Sequence, residues 1–277
     1  MNRAALLRLG FELGRPLGGR SQGAWLATAS NGAPVVLKWS PDAAMLGRYE
    51  ALVPALDELR ARGVPAPKYL HVGALEGGTL SAQQFFPGRS EDNPSPAVVE
   101  AMITCIAAKA GVGGPTTPDQ SSWGSYVVNA LTGGLDEGEM HEPLRIGGRR
   151  SAAVLDRVAA LGAEADPGWF PDNGLVHLDL HTDNVLIDDG KHSGIIDWEG
   201  ACAGDHRFDL VALAFDLDGH DQPIWGVVEA AGIEPKALRA YVALLTLKCA
   251  ASAIRHHPED VPRQLDRAER VFDRHEI

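Results

Sequence analysis

Cysteine is scarce in this chain: Cys105, Cys202 and Cys249 are odd in number, far apart and without metal-ligand spacing. That argues against a disulfide framework or a thiolate zinc site and leaves buried free thiols in a reducing compartment. Long apolar runs are also missing, since no stretch reaches the roughly 18 residues needed to cross a bilayer. Arg3, Arg8 and Arg15 interrupt the N-terminal segment that an export signal would keep apolar. Basic charge is in deficit: 25 Lys and Arg against 37 Asp and Glu give a formal net charge of −12. A nucleic-acid backbone or an anionic membrane surface rewards the opposite balance, so neither is expected as a partner. The chain has no internal repeat. Together these absences point to a soluble, cytoplasmic protein, and no pattern specifies an oligomeric state.

What is present is ample material for a core, 277 residues of which 45% are hydrophobic, enough for one large domain or two lobes. Residues 24–29 and 34–39 read as strands around Asn31-Gly32, a pair suited to a tight turn. Residues 42–62 place Met45, Leu46, Tyr49, Leu52, Val53, Leu56 and Leu59 at helical spacing, with Pro54 a kink point. A second hairpin is expected over residues 70–86 around Glu76-Gly77-Gly78, ended by Pro87-Gly88. Helical patterns follow over 96–110, with Ser95 as N-cap and Pro96 in the first turn, then over 150–161 and in the tail. The Gly-, Thr-, Pro- and Ser-rich stretch 111–148 holds Trp123, Tyr126, Val127, Val128 and Leu131, so part of it is expected to pack.

The most informative segment runs from Leu175 to Ile187, LVHLDLHTDNVLI, followed by GIIDWE at 194–199. It matches the kinase catalytic-loop pattern H-x-D-L-x-x-x-N, with an acidic residue returning after a short hairpin. Asp179 is the candidate for the acceptor hydroxyl. Asn184 and Asp197, brought together by a turn at Asp189-Gly190, are candidate magnesium ligands, because that ion takes oxygen donors and one or two protein carboxylates. Val35-Val36-Leu37-Lys38 puts a lysine on a strand where a kinase needs a cation against the phosphates, and Glu50 on the next helix is the expected partner for it. The loop 18–23 could cover phosphates with its backbone and with Ser21, although its glycine spacing is not G-x-G-x-x-G. Taken alone, the loop and the lysine are also common turn and strand-edge features; their order along the chain is what links them.

Residues 177–199 together with Gly204-Asp205-His206-Arg207-Phe208-Asp209-Leu210 resemble the aminoglycoside phosphotransferase and choline kinase superfamily of small-molecule kinases. Leu178, Thr182 and Asp183 depart from that family's usual residues in the loop. The resemblance implies an α+β, bilobal, protein-kinase-like fold. Residues 1–86 would form a nucleotide-binding lobe with an antiparallel sheet and one helix. Residues 87–277 would form a larger, mainly helical lobe with the catalytic loop, metal site and acceptor pocket. It implies ATP, with GTP as an alternative, and Mg2+ as cofactors. By hinge position Gln84 and Phe85 would supply backbone contacts to the base, and His177 and Asp209 would brace the loop.

The segment from Asp197 to Asp221 carries seven acidic residues and one basic residue, which points to a cationic acceptor held by Asp216 and Asp218. Glu199 and Trp123 complete the acceptor candidates, with core packing the competing reading for Trp123. The expected activity is O-phosphorylation of a small, amine-containing alcohol such as an aminoglycoside or another antibiotic. The alternatives are a metabolic kinase of a sugar, amino sugar or choline-like amino alcohol, and a nucleotide-binding regulator without transfer activity.

Overall fold

The structure is a computed structural model that describes residues 2–17, 23–134, 140–219 and 224–277. In chain order its main elements are α1 (Arg3–Arg8), β1 (Phe11–Pro16), β2 (Ala24–Ala29), β3 (Pro34–Ser40), α2 (Met45–Ala61), β4 (Tyr69–Leu75), β5 (Gly78–Gln84), α3 (Pro96–Ala107), α4 (Trp123–Thr132), α5 (His141–Ile146) and α6 (Arg149–Glu164). There follow β6 (Gly174–Val176), β7 (Val185–Asp188), β8 (Lys191–Ile195), β9 (Cys202–Gly204), α7 (Phe208–Asp216), α8 (Ile224–Ala230), α9 (Pro235–His256) and α10 (Val261–His275). They gather into two compact units, Met1–Ala108 with Asp183–Glu199, and Lys109–Thr182 with Gly200–Ile277. The first unit therefore runs past residue 86 and takes back a segment of the catalytic region.

The first unit is built on an antiparallel sheet of order β1-β2-β3-β5-β4. Its turns form where the sequence supplies residues that tolerate left-handed backbone. Gly32 takes φ +82°, and Glu76 and Gly77 take +53° and +79°, the two-residue geometry that suits the twist of a hairpin. One face is closed by Leu6 of α1 packing with Phe11, Ala27, Val35, Leu37, Leu80 and Ala82. The helix α1 is not foreshadowed by any strong periodicity. Helix α2 buries Tyr49, Leu52, Ala55, Leu56 and Leu59 and continues through Pro54. Helix α3 starts as its sequence dictates, Ser95 accepting a hydrogen bond from the Val98 N–H at 3.4 Å with Pro96 in the first turn.

The β7–β8 hairpin belongs to this unit through backbone bonds. Arg89 and Ile187 exchange N–H···O bonds of 3.0 and 2.8 Å, and the Ile195 N–H reaches the Pro65 carbonyl at 2.9 Å. Its turn is Asp189-Gly190, both left-handed at φ +48° and +70°.

The second unit is helical apart from the short antiparallel pair β6–β9. The stretch expected to pack in part does so as α4 and α5. Trp123 is 1% exposed and meets Phe208 and Tyr241 at ring-centroid distances of 5.3 and 6.0 Å. Gly204 is required beneath it, because a Cβ there would lie 2.7 Å from the indole ring. Helix α9 is long and apolar enough by composition to cross a bilayer, yet 67% of that stretch is buried within the protein. It acts as the core helix on which α4, α6, α7 and α10 pack.

Candidate active site

In the first unit Lys38 stands on β3 between Ala24 of β2 and Ser81 of β5. Its ammonium donates to Oδ1 of Asp197 and lies 3.0 Å from Oε1 of Glu199. Burial alone would lower the lysine's pKa, but the Glu199 and Asp197 carboxylates outweigh it and hold Lys38 above the usual lysine range. Glu199 is fixed from two further sides. Gln83 donates its amide to the same Oε1 at 3.0 Å, and Arg48 of α2 donates to the Glu199 backbone carbonyl at 2.7 Å. Burial, with the Glu199 charge, pushes the nearby Tyr49 phenol up to about 12.

Asn184 and Asp197 are set at the same end of the β7–β8 hairpin. Val185 pairs with Ile195, and one step on, the Ile196 N–H donates to the Asn184 carbonyl at 2.9 Å. Asn184 is buried, and Asp197 holds φ +64° without being glycine, a posture costing about 1–2 kcal/mol. One amide oxygen and one carboxylate oxygen form an all-oxygen donor set, which fits Mg2+ and not a thiophilic ion.

Several expectations for this unit are altered. Glu50 is exposed, and the acids that meet Lys38 are Asp197 and Glu199 of the hairpin instead. Glu199 is thus paired with the strand lysine and is not turned to an acceptor. The Gln84 N–H is taken by the Lys68 carbonyl at 2.8 Å as β5 ends, which removes it as a donor to a base. Phe85 lies beyond the strand, half-buried. Ser21 lies outside the described residues.

In the second unit Asp179 follows β6 with its side chain 57% exposed. Desolvation would raise its pKa, but the hydrogen bond from His181 and the charges of Lys248, His181 and His177 prevail and hold it well below the usual carboxylate range. His181 Nε2 is 3.7 Å from Oδ2. The loop backbone is braced from below by Asp209, fully buried, which accepts the N–H groups of His177 at 2.7 Å and Leu178 at 3.2 Å. His177, also fully buried, accepts the Asp179 N–H through Nδ1 at 3.4 Å. The loop turns at Leu178 with φ +72°, left-handed backbone that a glycine adopts without strain.

The charge of Asp209 is balanced by Lys109, 2% exposed, whose ammonium donates to its Oδ2. Lys248 of α9 donates to the Leu178 carbonyl at 2.6 Å. Sequence reasoning passed over Lys109, Lys248 and Arg48. The available signal was that Lys248 is the single charge between Arg239 and Arg255 and that Lys109 ends an apolar stretch, 96–110, whose one other charge is Glu100.

The acceptor candidates fare differently from expectation. Asp216 receives the Thr182 N–H at 2.8 Å and its hydroxyl at 2.9 Å, so it supports the loop. Asp218 is 4% exposed in its side chain and is engaged by Arg274 at 2.8 Å, Arg270 at 3.1 Å and the Trp225 N–H at 3.1 Å. Burial works against its ionisation, but Trp225, Arg274 and Arg270 hold its pKa below the ordinary value. Trp123 is a core residue whose N–H goes to the Tyr241 hydroxyl at 3.1 Å.

An antiparallel sheet carrying the lysine, a catalytic-type loop on a helical unit and an Asn–Asp pair on a returning hairpin make this a protein-kinase-like α+β fold. The chain belongs to the phosphotransferase enzyme family, whose profile matches residues 13–245. Among solved structures it is similar to a thermostable mutant of aminoglycoside phosphotransferase APH(4)-Ia, with a TM-score of 0.69 at 18% identity over 99% of this chain and 98% of that one. It is also similar to choline kinase LicA from Streptococcus pneumoniae, with a TM-score of 0.68 at 14% identity over 97% and 96%. Among curated proteins it is 27% identical over 172 residues to a homoserine kinase of Methylobacillus flagellatus, covering 58% of this chain and 50% of that protein. A homoserine kinase of Neisseria meningitidis serogroup B is 46% identical over 44 residues, 16% of this chain and 14% of that protein. The chain therefore spans about half or less of the length of these curated relatives.

Proposed function

We propose that the protein is an ATP-dependent O-phosphotransferase acting on a small, amine-bearing alcohol. The observation that carries this reading is the convergence of Lys38, Asp197, Glu199 and Asn184 on one hairpin and strand. Phosphoryl transfer asks a protein for alignment and charge neutralisation more than for covalent chemistry. Lys38 binds the α- and β-phosphates, and Glu199 orients it. Asn184 and Asp197 hold Mg2+, which when bound neutralises charge on the nucleotide's phosphate oxygens. Asp179 orients the acceptor hydroxyl and takes its proton late in transfer. The carbonyl of Gln84 and the backbone of Phe85 are the base contacts on this reading, and Ser21 belongs to the loop over the phosphates. GTP is the alternative nucleotide, and residues 1–86 and 87–277 are the proposed nucleotide and acceptor lobes.

For the acceptor, the engagement of Asp216 by Thr182 and of Asp218 by two arginines removes two reasons for a polycation. The names of the relatives favour a compact amino alcohol ahead of an aminoglycoside, because homoserine and choline each pair one hydroxyl with one nitrogen. A radiolabelled ATP transfer assay against homoserine, choline and hygromycin B tests the proposal. Turnover of at least one compact amino alcohol, absent without Mg2+, is expected. Nucleotide binding with no transfer to any acceptor would overturn the kinase reading in favour of a regulator.

The assignment of Glu199 has its own check. Glu199→Gln is expected to raise the KM for ATP about tenfold, the loss of one charge-assisted bond, with the KM for the acceptor unchanged. Glu50→Gln is expected to alter neither. Equal loss of ATP affinity in the Glu50 variant would return the lysine's partner to α2.

A further inference from the structure

We propose that Lys248 is a specificity-determining residue that binds a carboxylate of the acceptor, so that the substrate class is hydroxy acids, amino acids with a side-chain alcohol among them. This rests on the phosphotransferase reading, with Asp179 on the acceptor hydroxyl. Lys248 is the single charged residue between Arg239 and Arg255 on α9, and it is half-buried among apolar neighbours of that helix. An ammonium has three donors. One goes to the Leu178 carbonyl at 2.6 Å. Among the described residues Lys248 makes no ion pair within 4.0 Å and no second hydrogen bond.

A partly desolvated cation with two of its three donors unused is costly to maintain for packing alone. Its position gives it a task. The carbonyl it holds belongs to the residue preceding Asp179, and its charge is felt by the Asp179 carboxylate. The acids that would otherwise compete for it are engaged: Asp216 by Thr182, Asp218 by Arg270 and Arg274, Asp209 by Lys109. The carboxylate that feels the Lys248 charge is Asp179, which on this reading faces the acceptor hydroxyl, and two N–H donors of Lys248 stay open beside it. A compact hydroxy acid presents its hydroxyl to Asp179 and its carboxylate to the two remaining N–H donors of Lys248.

The experiment is calorimetric titration of L-homoserine and of its carboxamide into the wild type, Lys248→Met and Lys248→Arg, each with ADP and Mg2+. The wild type is expected to bind the acid about tenfold to a hundredfold more tightly than the amide, the worth of a hydrogen bond to a charged group. Lys248→Met should abolish that preference while binding the amide as the wild type does, and Lys248→Arg should retain part of it. ADP affinity should be unchanged throughout. Equal affinity of the wild type for acid and amide, or no binding of the acid, overturns the proposal. So does equal loss of both ligands in Lys248→Met, which marks a lysine that serves only the Leu178 carbonyl. Should Lys248→Met fail to fold, the acid-to-amide ratio of the wild type and its change in Lys248→Arg decide. Transfer to choline or hygromycin B without binding of the acid sinks this inference and leaves the kinase reading standing; binding of the acid without transfer to any acceptor does the reverse.

Discussion

Asp179→Asn is expected to lower the rate of phosphoryl transfer about a thousandfold, within the range lost when a positioned proton acceptor is removed, while nucleotide affinity stays at its wild-type value. Asparagine keeps the size of the side chain and its place beside His181 but does not accept the acceptor's proton. Single-turnover rates at saturating nucleotide measure the first quantity, and titration with ADP measures the second. Retention of more than about a tenth of the rate would mean that the hydroxyl is deprotonated elsewhere. The acidity of Asp179 adds a pH signature. Its pKa is depressed, so the carboxylate is charged at every pH above the ordinary range near about 3.9. Its protonation therefore places no acid limb between about pH 5 and 7 in kcat/KM. By the same sign, any stability that Asp179 contributes is present above its unfolded pKa and is lost as pH falls through the lower folded one. Its exposure keeps that contribution small.

Lys109→Met is expected to destabilise the protein by about 3–5 kcal/mol, because it leaves the buried charge of Asp209 without its cation. At about 2–4 °C per kcal/mol for a protein this size, the thermal midpoint should fall by about 6–20 °C. Removing both charges, as in Lys109→Met with Asp209→Leu, is not expected to restore stability. Asp209 also receives the His177 and Leu178 N–H groups, and an apolar replacement strands both donors in a dry site. Full recovery in the double variant would show that the pair is self-contained and does not shape the loop. Scanning calorimetry of the three variants separates these outcomes.

The parts of the molecule legible in the sequence are those governed by local backbone chemistry. Asn31-Gly32, Glu76-Gly77 and Asp189-Gly190 mark turns because each supplies residues that accept left-handed φ. Ser95-Pro96 marks a helix start because a hydroxyl and a missing N–H suit the first turn. The spacing from Asn184 to Asp197 is readable because a hairpin returns its strand at a fixed register. Charge partners are a different matter. Glu50 is near Lys38 in sequence, yet the lysine meets Asp197 and Glu199, more than 150 positions on. Asp218 reads as part of an acidic surface until Arg270 and Arg274 arrive from α10. Long flexible side chains choose partners by tertiary packing, which no short window of sequence encodes. Helix α1 is short, and its Leu6 is fixed only by the sheet it covers.

Leu178 and Asp197 both hold left-handed backbone without being glycine, and each lies shortly before a point where the chain passes from one compact unit to the other, Thr182 to Asp183 and Glu199 to Gly200. Variants selected only for heat resistance should therefore gather changes there, since relief of each posture is available at a single position. Leu178→Gly would release the turn but forfeit a buried side chain, whereas any relief at Asp197 removes the carboxylate proposed to hold the metal. A lineage bred for durability would keep its shape at those two positions and lose turnover, and one bred for turnover would have to find its durability elsewhere in the chain.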